Sequence, residues 1–387
     1  MGGAVKRSSK ASAVATAVFA SLLWAALVVT VAGVKFGGDP RGLLFLGQAL
    51  HHPAAMDGIP RCGRYGYDGQ FYAALATDPF LRSRDTVKAL DAPAYRASRI
   101  LLPMLAWCAA AGNGRAAVVA YQVLCWTSGV LAVVLASAWV RREGGSAWSG
   151  VLLVANAGLV TAMLRSTPDG AAVSLVVATL WLAEQELDGR ALSGASAAVL
   201  CRETGLLAPL AVAVRQAVER NYHQAIRYAL IPIIPQLVWQ GYLQATLHPT
   251  FRFPTSVSVP LVGLVGRLAA IGAEKPVLLS QEFWGTLGAV LTLLGGVAVA
   301  LSGDRFQPRR LAFVAFAVLT VLLSSKAYAD VYGFSRHLMA APFLAVVLAA
   351  REENRWVRAL LLSAPVAFSI AGFLMIAGEL EPLIGPL

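Results

Sequence analysis

The stretch RYGYDGQFYAAL, Arg64–Leu75, holds one carboxylate, Asp68, between aromatic residues and beside glycines that permit a tight turn. A carboxylate fenced in this way and partly shielded from water can take a proton from a hydroxyl as that hydroxyl attacks an electrophile. It can equally close an Asx turn and cap the helix that GQFYAALA would form, so both roles stay open. In RASRILLP, Arg96 and Arg99 are spaced i, i+3, which sets both guanidiniums on one side of a helix and within reach of one phosphate. Snorkelling to lipid headgroups is the alternative.

RSTPDG places Arg165 and Asp169 around a turn that its Pro, Asp and Gly residues would form by themselves. RETG sets Arg202 and Glu203 between two apolar half-segments, as a site or as a structural salt bridge. Arg336, in YADVYGFSRHLMAAPFL, stands at the start of an apolar segment, where a cation meets an anionic lipid head or anchors the interface. His51 and His52 are adjacent, a poor geometry for one shared metal, and no H-x-x-x-H accompanies them. Asp57, Asp68 and Asp169 could hold Mg²⁺ through water, but their spacing compels no metal site, and no other cofactor is indicated.

The elements that must position these residues are apolar. Of 387 residues, 57% are hydrophobic and 14% charged, and the mean hydropathy is +0.64. Runs such as AAVVAYQVLCWTSGVLAVVLASAWV are apolar on every face, which implies lipid outside them and excludes a large soluble domain. The net charge of +11 comes from Lys and Arg clustered between such runs, as topology signals are, which argues against a nucleic-acid partner. Cys62, Cys108, Cys125 and Cys201 lack C-x-x-C spacing and read as packing residues.

The positive-inside rule predicts an all-α, polytopic membrane protein of about eleven transmembrane helices, one transmembrane domain over 1–387, with a cytoplasmic N-terminus. Spans are expected at 13–34, 116–140, 148–164 and 171–187. Two half-spans follow, meeting at RETG, and further spans lie near 228–247, 283–301, 311–325, 337–350 and 359–378. A first outer loop covers 35–115 and a second 248–282. Segment 100–112 is short, contains Pro103 and is expected to lie against the outer leaflet rather than cross it. In this layout Asp57, Asp68, Arg96, Arg99, Asp169, Arg202, Glu203, Lys326, Asp330 and Arg336 gather on the outer face, the pattern of a site rather than of a pore.

YDGQFY, YRASRILLP, TPDG, RETG and GFSRHLMAAP together resemble bacterial membrane proteins assigned to cell-surface glycopolymer formation, which are similar to the GT-C superfamily of polyprenyl-phosphate-sugar-dependent glycosyltransferases. The resemblance covers most of the chain. It implies a GT-C-like fold with membrane-lying helices in the first outer loop, and an active site on the outer face of the bacterial cytoplasmic membrane. It also implies a polyprenyl-phosphate-linked sugar donor and a glycan or glycolipid acceptor, with transfer that inverts the anomeric carbon.

Carried over by position, Asp68 becomes the base, and Arg96, Arg99, Arg202 and Arg336 face the donor phosphate. Tyr67, Gln70, Asp169, Glu203 and His337, within the same motifs, join the substrate-binding set. Where many relatives carry two neighbouring acids in the first loop, this chain has Asp68 alone. A transporter or flippase of a lipid-linked sugar is the competing expectation, weighed down by the long outer loop and by the lack of paired inverted halves or of spans interrupted at mid-depth. A structural partner in an envelope assembly is a third.

Overall fold

The computed structural model describes residues 2–248, 256–272, 277–304 and 306–384. The expected second outer loop, 248–282, lies partly outside the described residues. Among those described, the chain is helical throughout, and its only β pairing is two isolated bridges, Leu46 with Arg61 and Val257 with Leu323. A chain in lipid must satisfy its backbone groups internally, and helices do so within one segment.

Among the described residues, four helices are long and apolar enough to cross a membrane: Ala15–Phe36, Gly114–Arg142, Gln281–Leu301 and Arg355–Glu381. Two bent pairs raise the number to six if each pair is one span. Gly114–Arg142 shows why both lipid and protein are needed around it. Ala117, Tyr121, Cys125, Gly129, Ala136 and Val140 are buried along one face, while Val119, Val123 and Leu131 stand exposed on another. Small residues bring the helices together. Gly288 leaves no room for a Cβ against Phe368, and Gly296 none against Ala317.

The structure corrects several expected spans. Segment 148–164 is broken: Ala147–Val154 and Ala157–Leu164 meet at 63°. Asn156 caps the second piece through Oδ1, which accepts from the Gly158 and Leu159 amides at 3.1 and 3.3 Å. Ser369 of the last helix donates to the Leu152 carbonyl that the break leaves free. Segment 337–350 is likewise the second part of a pair, Val331–Leu338 and Ala340–Ala349, bent by 49°. Pro342 there removes the amide that would have bonded the Leu338 carbonyl. Arg336 therefore sits near the end of a separate short helix, not at the start of a span. Segment 228–247 is interrupted at Pro232, between Tyr222–Leu230 and Ile234–Leu247. The single straight helices expected at 148–164, 228–247 and 337–350 are therefore not formed.

Other expectations match. RETG joins two short helices, Asp188–Cys201 and Leu207–Val218, through the 3₁₀ turn Glu203–Leu206. Segment 100–112 holds one helix, Leu101–Ala109, whose nine residues rise about 14 Å, too short for a hydrocarbon core of about 30 Å.

The charged side chains pair in two groups at opposite ends of the long helices. Tyr121, near the start of Gly114–Arg142, donates to the Ser166 carbonyl at 2.8 Å, close to Asp169. At the other end of that helix Glu143 pairs with Arg309 and Arg351 at 3.1 and 3.4 Å. From Tyr121 to Glu143 the helix rises about 33 Å, one hydrocarbon thickness.

Candidate active site

Asp68 is delivered by a loop whose geometry is set residue by residue. Gly66 adopts a φ of +62°, and a Cβ there would run into the Phe45 carbonyl. The Tyr67 amide donates to that carbonyl at 2.9 Å. Gln70 staples the loop: its Oε1 accepts from the Gly47 amide at 2.9 Å and its Nε2 donates to the Tyr65 carbonyl at 2.8 Å. Both ends of this amide are engaged and the side chain is buried, so Gln70 shapes the loop rather than lining an open surface. Gly69 packs so closely on the Arg165 carbonyl that any side chain would collide with it, which ties the loop to RSTPDG.

Asp68 begins the helix Gly69–Thr77 but does not cap it through its side chain. Its carboxylate lies between two guanidiniums instead: Oδ1 is 2.9 Å from Arg96 and Oδ2 is 2.9 Å from Arg336. Burial alone would push this carboxyl toward its neutral form. The Arg336 and Arg96 charges outweigh burial and hold it well below the usual carboxylate range. The Asp68 side chain keeps 19% of its surface. Burial pushes the neighbouring Tyr67 hydroxyl up to about 12, and the Arg336 guanidinium rests 5.1 Å from the Tyr67 ring.

Arg96 lies in the helix Pro93–Ala97 and Arg99 beyond its end, so the shared helical side expected from their spacing does not form, and they engage different acids. Arg96 forks onto Asp91 with two bonds of 2.8 Å while touching Asp68 and stacking on Phe71 at 4.6 Å. Arg99 meets Glu203 at 3.1 Å and donates to the hydroxyls of Tyr72 and Tyr95 at 3.0 and 2.7 Å. Both arginines are buried, at 8% and 5% exposure, which does not fit snorkelling into headgroups.

Asp169 completes the cluster, paired with Arg202 and 3.7 Å from Arg336, while Thr167 donates to it at 2.5 Å. The chain thus brings Asp68, Arg96, Asp169, Arg202 and Arg336 into one network, and Arg99 and Glu203 flank it. Among the described residues the buried Arg336 Nε has no hydrogen-bond acceptor, and neither has the Arg202 Nε. Guanidinium N–H groups left over in a buried cluster are donors in wait of an anion.

A cavity of about 720 Å³ opens beside this network. Arg99, Glu203, Tyr95, Ser98 and His337 form its polar end, and Val87, Leu247, Val257, Leu319 and Leu323 its apolar wall. Asp68, Arg202 and Arg336 do not line it.

No family model, curated protein or solved structure matches the chain.

Several expected members lie elsewhere. Asp57 is exposed and joins none of the ion pairs among the described residues. Lys326 is exposed, and Asp330 caps the helix Val331–Leu338 by accepting from the Gly333 amide at 2.7 Å. His51 and His52 turn to different partners, Asp85 and the Gly47 carbonyl. Asp68 and Asp169 both face Arg336, so a cation between them would meet a guanidinium first. Among the described residues no three of His, Cys, Asp and Glu gather as a metal site.

Sequence reasoning missed Asp91, Tyr72, Tyr95 and Glu379. Asp91 lies five residues before Arg96 and was visible as a possible helix-start acid. Glu379, 4% exposed near the end of an apolar helix, binds Lys35 at 2.5 Å and pairs with Arg165. A carboxylate inside an apolar run was its only signal.

Proposed function

We propose that this chain is a membrane glycosyltransferase that moves a sugar from a polyprenyl-phosphate donor to a cell-envelope glycan or lipid acceptor, with Asp68 as the general base. One observation carries the reading: a carboxylate held between two guanidiniums, Arg96 and Arg336, stands beside a cavity with an arginine-bearing polar end and an apolar wall. A lipid phosphate needs both halves of such a cavity, cations for its head and hydrocarbon for its tail. In the GT-C-like arrangement that the sequence motifs imply, about eleven segments cross or enter the cytoplasmic membrane, the N-terminus is cytoplasmic, and this cluster faces outward.

The chemistry follows from the charge pattern. The acceptor oxygen attacks the anomeric carbon, the carbon–phosphate-oxygen bond breaks with its electron pair leaving on phosphate, and the hydroxyl proton passes to Asp68. Arg99, Arg202 and Arg336 stabilise the charge that accumulates on the departing phosphate. At rest Asp68 is a weak base, because Arg336 and Arg96 neutralise it. A donor phosphate that draws either guanidinium toward itself removes part of that neutralisation and strengthens the base when it is needed. Direct displacement inverts the anomeric centre.

The bent pairs at Asn156 and Met339 favour a second reading, since interrupted helices also build the binding sites of transporters, including a flippase for a lipid-linked sugar. One experiment separates the two. Full-length protein in proteoliposomes receives a radiolabelled polyprenyl-phosphate sugar and a mixed extract of envelope glycans and glycolipids. Transfer by wild type and its loss in Asp68→Asn support the transferase; donor translocation without a labelled product rejects it in favour of transport.

A further inference from the structure

At the far end of the bundle from Asp68 lies a second cavity, of about 580 Å³, lined by Trp139, Arg142, Glu143, Trp181, Glu184, Gln185, Arg309 and Arg351. Its floor is fixed. Arg309, 5% exposed, bridges Glu143 at 3.1 Å and Glu184 at 3.6 Å, and lies 5.9 Å from the Trp139 ring. Trp139 and Trp181 stack with their ring centres 6.3 Å apart. Its rim carries two exposed cations: Arg351 keeps 73% of its surface and holds Glu143 by one long bond of 3.4 Å, and Arg142 has one bond of 2.6 Å to the neutral Gln185.

Three polar atoms of the lining are buried and make no hydrogen bond among the described residues. The Trp181 Nε1 finds no acceptor, the Glu184 Oε1 has the Arg309 Nε at 3.6 Å but accepts no hydrogen bond, and the Arg309 Nη1 has Glu143 at 3.1 Å but donates none. A buried polar atom without a partner is unfavourable unless something else supplies one. The missing partner must offer an acceptor and a donor close together, between two rim cations. Three arginines against two glutamates in the lining also leave the cavity net positive.

We infer that this cavity is a binding site for a phosphate ester whose headgroup carries a hydroxyl or ammonium donor. The phosphate sits between Arg142 and Arg351 and takes the Trp181 N–H, and the headgroup donor meets the Glu184 Oε1, which the Arg309 Nε approaches to 3.6 Å without a hydrogen bond. The position of the cavity at the end of a helix about one hydrocarbon thickness from the other polar cluster puts it at the depth of lipid headgroups. A phospholipid and a small soluble phosphate ester share this chemistry, and the inference does not depend on the transferase reading.

Native mass spectrometry of the full chain, released from detergent with dioctanoyl phosphatidylglycerol, tests it. Wild type binds this lipid more tightly than phosphatidylmethanol, which has the phosphate but no headgroup donor. Arg142→Ala/Arg351→Ala weakens both lipids by about tenfold or more. Glu184→Ala erases the preference for phosphatidylglycerol while leaving phosphatidylmethanol binding in place, a pattern that general unfolding cannot produce. Displacement of the lipid by glycerol 3-phosphate supports the site and identifies a soluble ester as a sufficient ligand; retention of the lipid against it supports the site and assigns it to the membrane. Equal affinity of wild type and the double arginine variant for both lipids overturns the inference.

Discussion

Asp68 and Arg336 stand 268 residues apart in the chain and meet across 2.9 Å. One comes from a loop after the first long helix, the other from a short helix that precedes Ala340–Ala349. The pair extends into a chain of alternating charges in which Asp169 and Arg202 are the next members, so the loop, the RSTPDG turn, the RETG junction and the Arg336 helix are held by one set of charges.

Replacing Arg336 by Gln tests what that pair does for stability. A carboxyl whose folded value is depressed contributes stability that is fully present above its unfolded value near 4 and is lost as the pH falls toward the folded value. Arg336 is the leading charge that depresses Asp68. The variant should therefore melt below wild type most clearly above about pH 5, with the gap narrowing below about pH 4. Melting curves in detergent from pH 3 to 7 provide the check, and a gap that does not change with pH would remove Asp68 from the explanation.

Arg336→Lys keeps the charge but not the planar fork that lets one side chain touch Asp68, Asp169 and the Tyr67 ring together. Transfer should fall by roughly 10- to 100-fold in this variant. A rate within twofold of wild type would show that charge alone suffices.

Glu379 is buried between Lys35 and Arg165, and it joins the first and last long helices to the broken one. Glu379→Ala leaves the Arg165 guanidinium uncompensated and should destabilise the fold by about 3 kcal/mol. Unfolding by titration of SDS into dodecylmaltoside measures this. A loss below about 0.5 kcal/mol would mean the charges find water instead.

Gly69→Ala puts a methyl group against the Arg165 carbonyl. The loop must move, at a cost of about 1–3 kcal/mol, and Asp68 moves with it. The expected result is a larger loss of transfer than of melting temperature, because a small displacement of a reacting group weakens catalysis disproportionately.

Orientation is testable without any substrate. In a chain whose own four cysteines are replaced by serine, Asp57→Cys and Glu219→Cys each add one exposed thiol at opposite ends of the bundle. A membrane-impermeant maleimide applied to whole cells should label the first and not the second. The reverse pattern would place the Asp68 cluster in the cytosol.

The sequence by itself determined the helical, lipid-embedded character of the chain, because hydropathy over a span's length is a local property that no partner alters. It also marked Asp68, Arg96, Asp169, Arg202 and Arg336 as residues that belong together, since charges beside apolar runs need a reason to be there. The tertiary structure decided which charge meets which. Arg96 and Arg99 are spaced to share a helical side, yet the helix ends at Ala97 and one turns to Asp68 and Asp91 and the other to Glu203, a division the local spacing does not reveal. Gln70, a substrate-facing candidate by position, is a staple because Gly47 and Tyr65 happen to fold back onto it. The breaks at Asn156 and before Pro342 were equally hidden. An apolar run reads the same whether straight or bent, and only the side chains that rescue the freed backbone groups, such as Ser369 at Leu152, make the bend affordable.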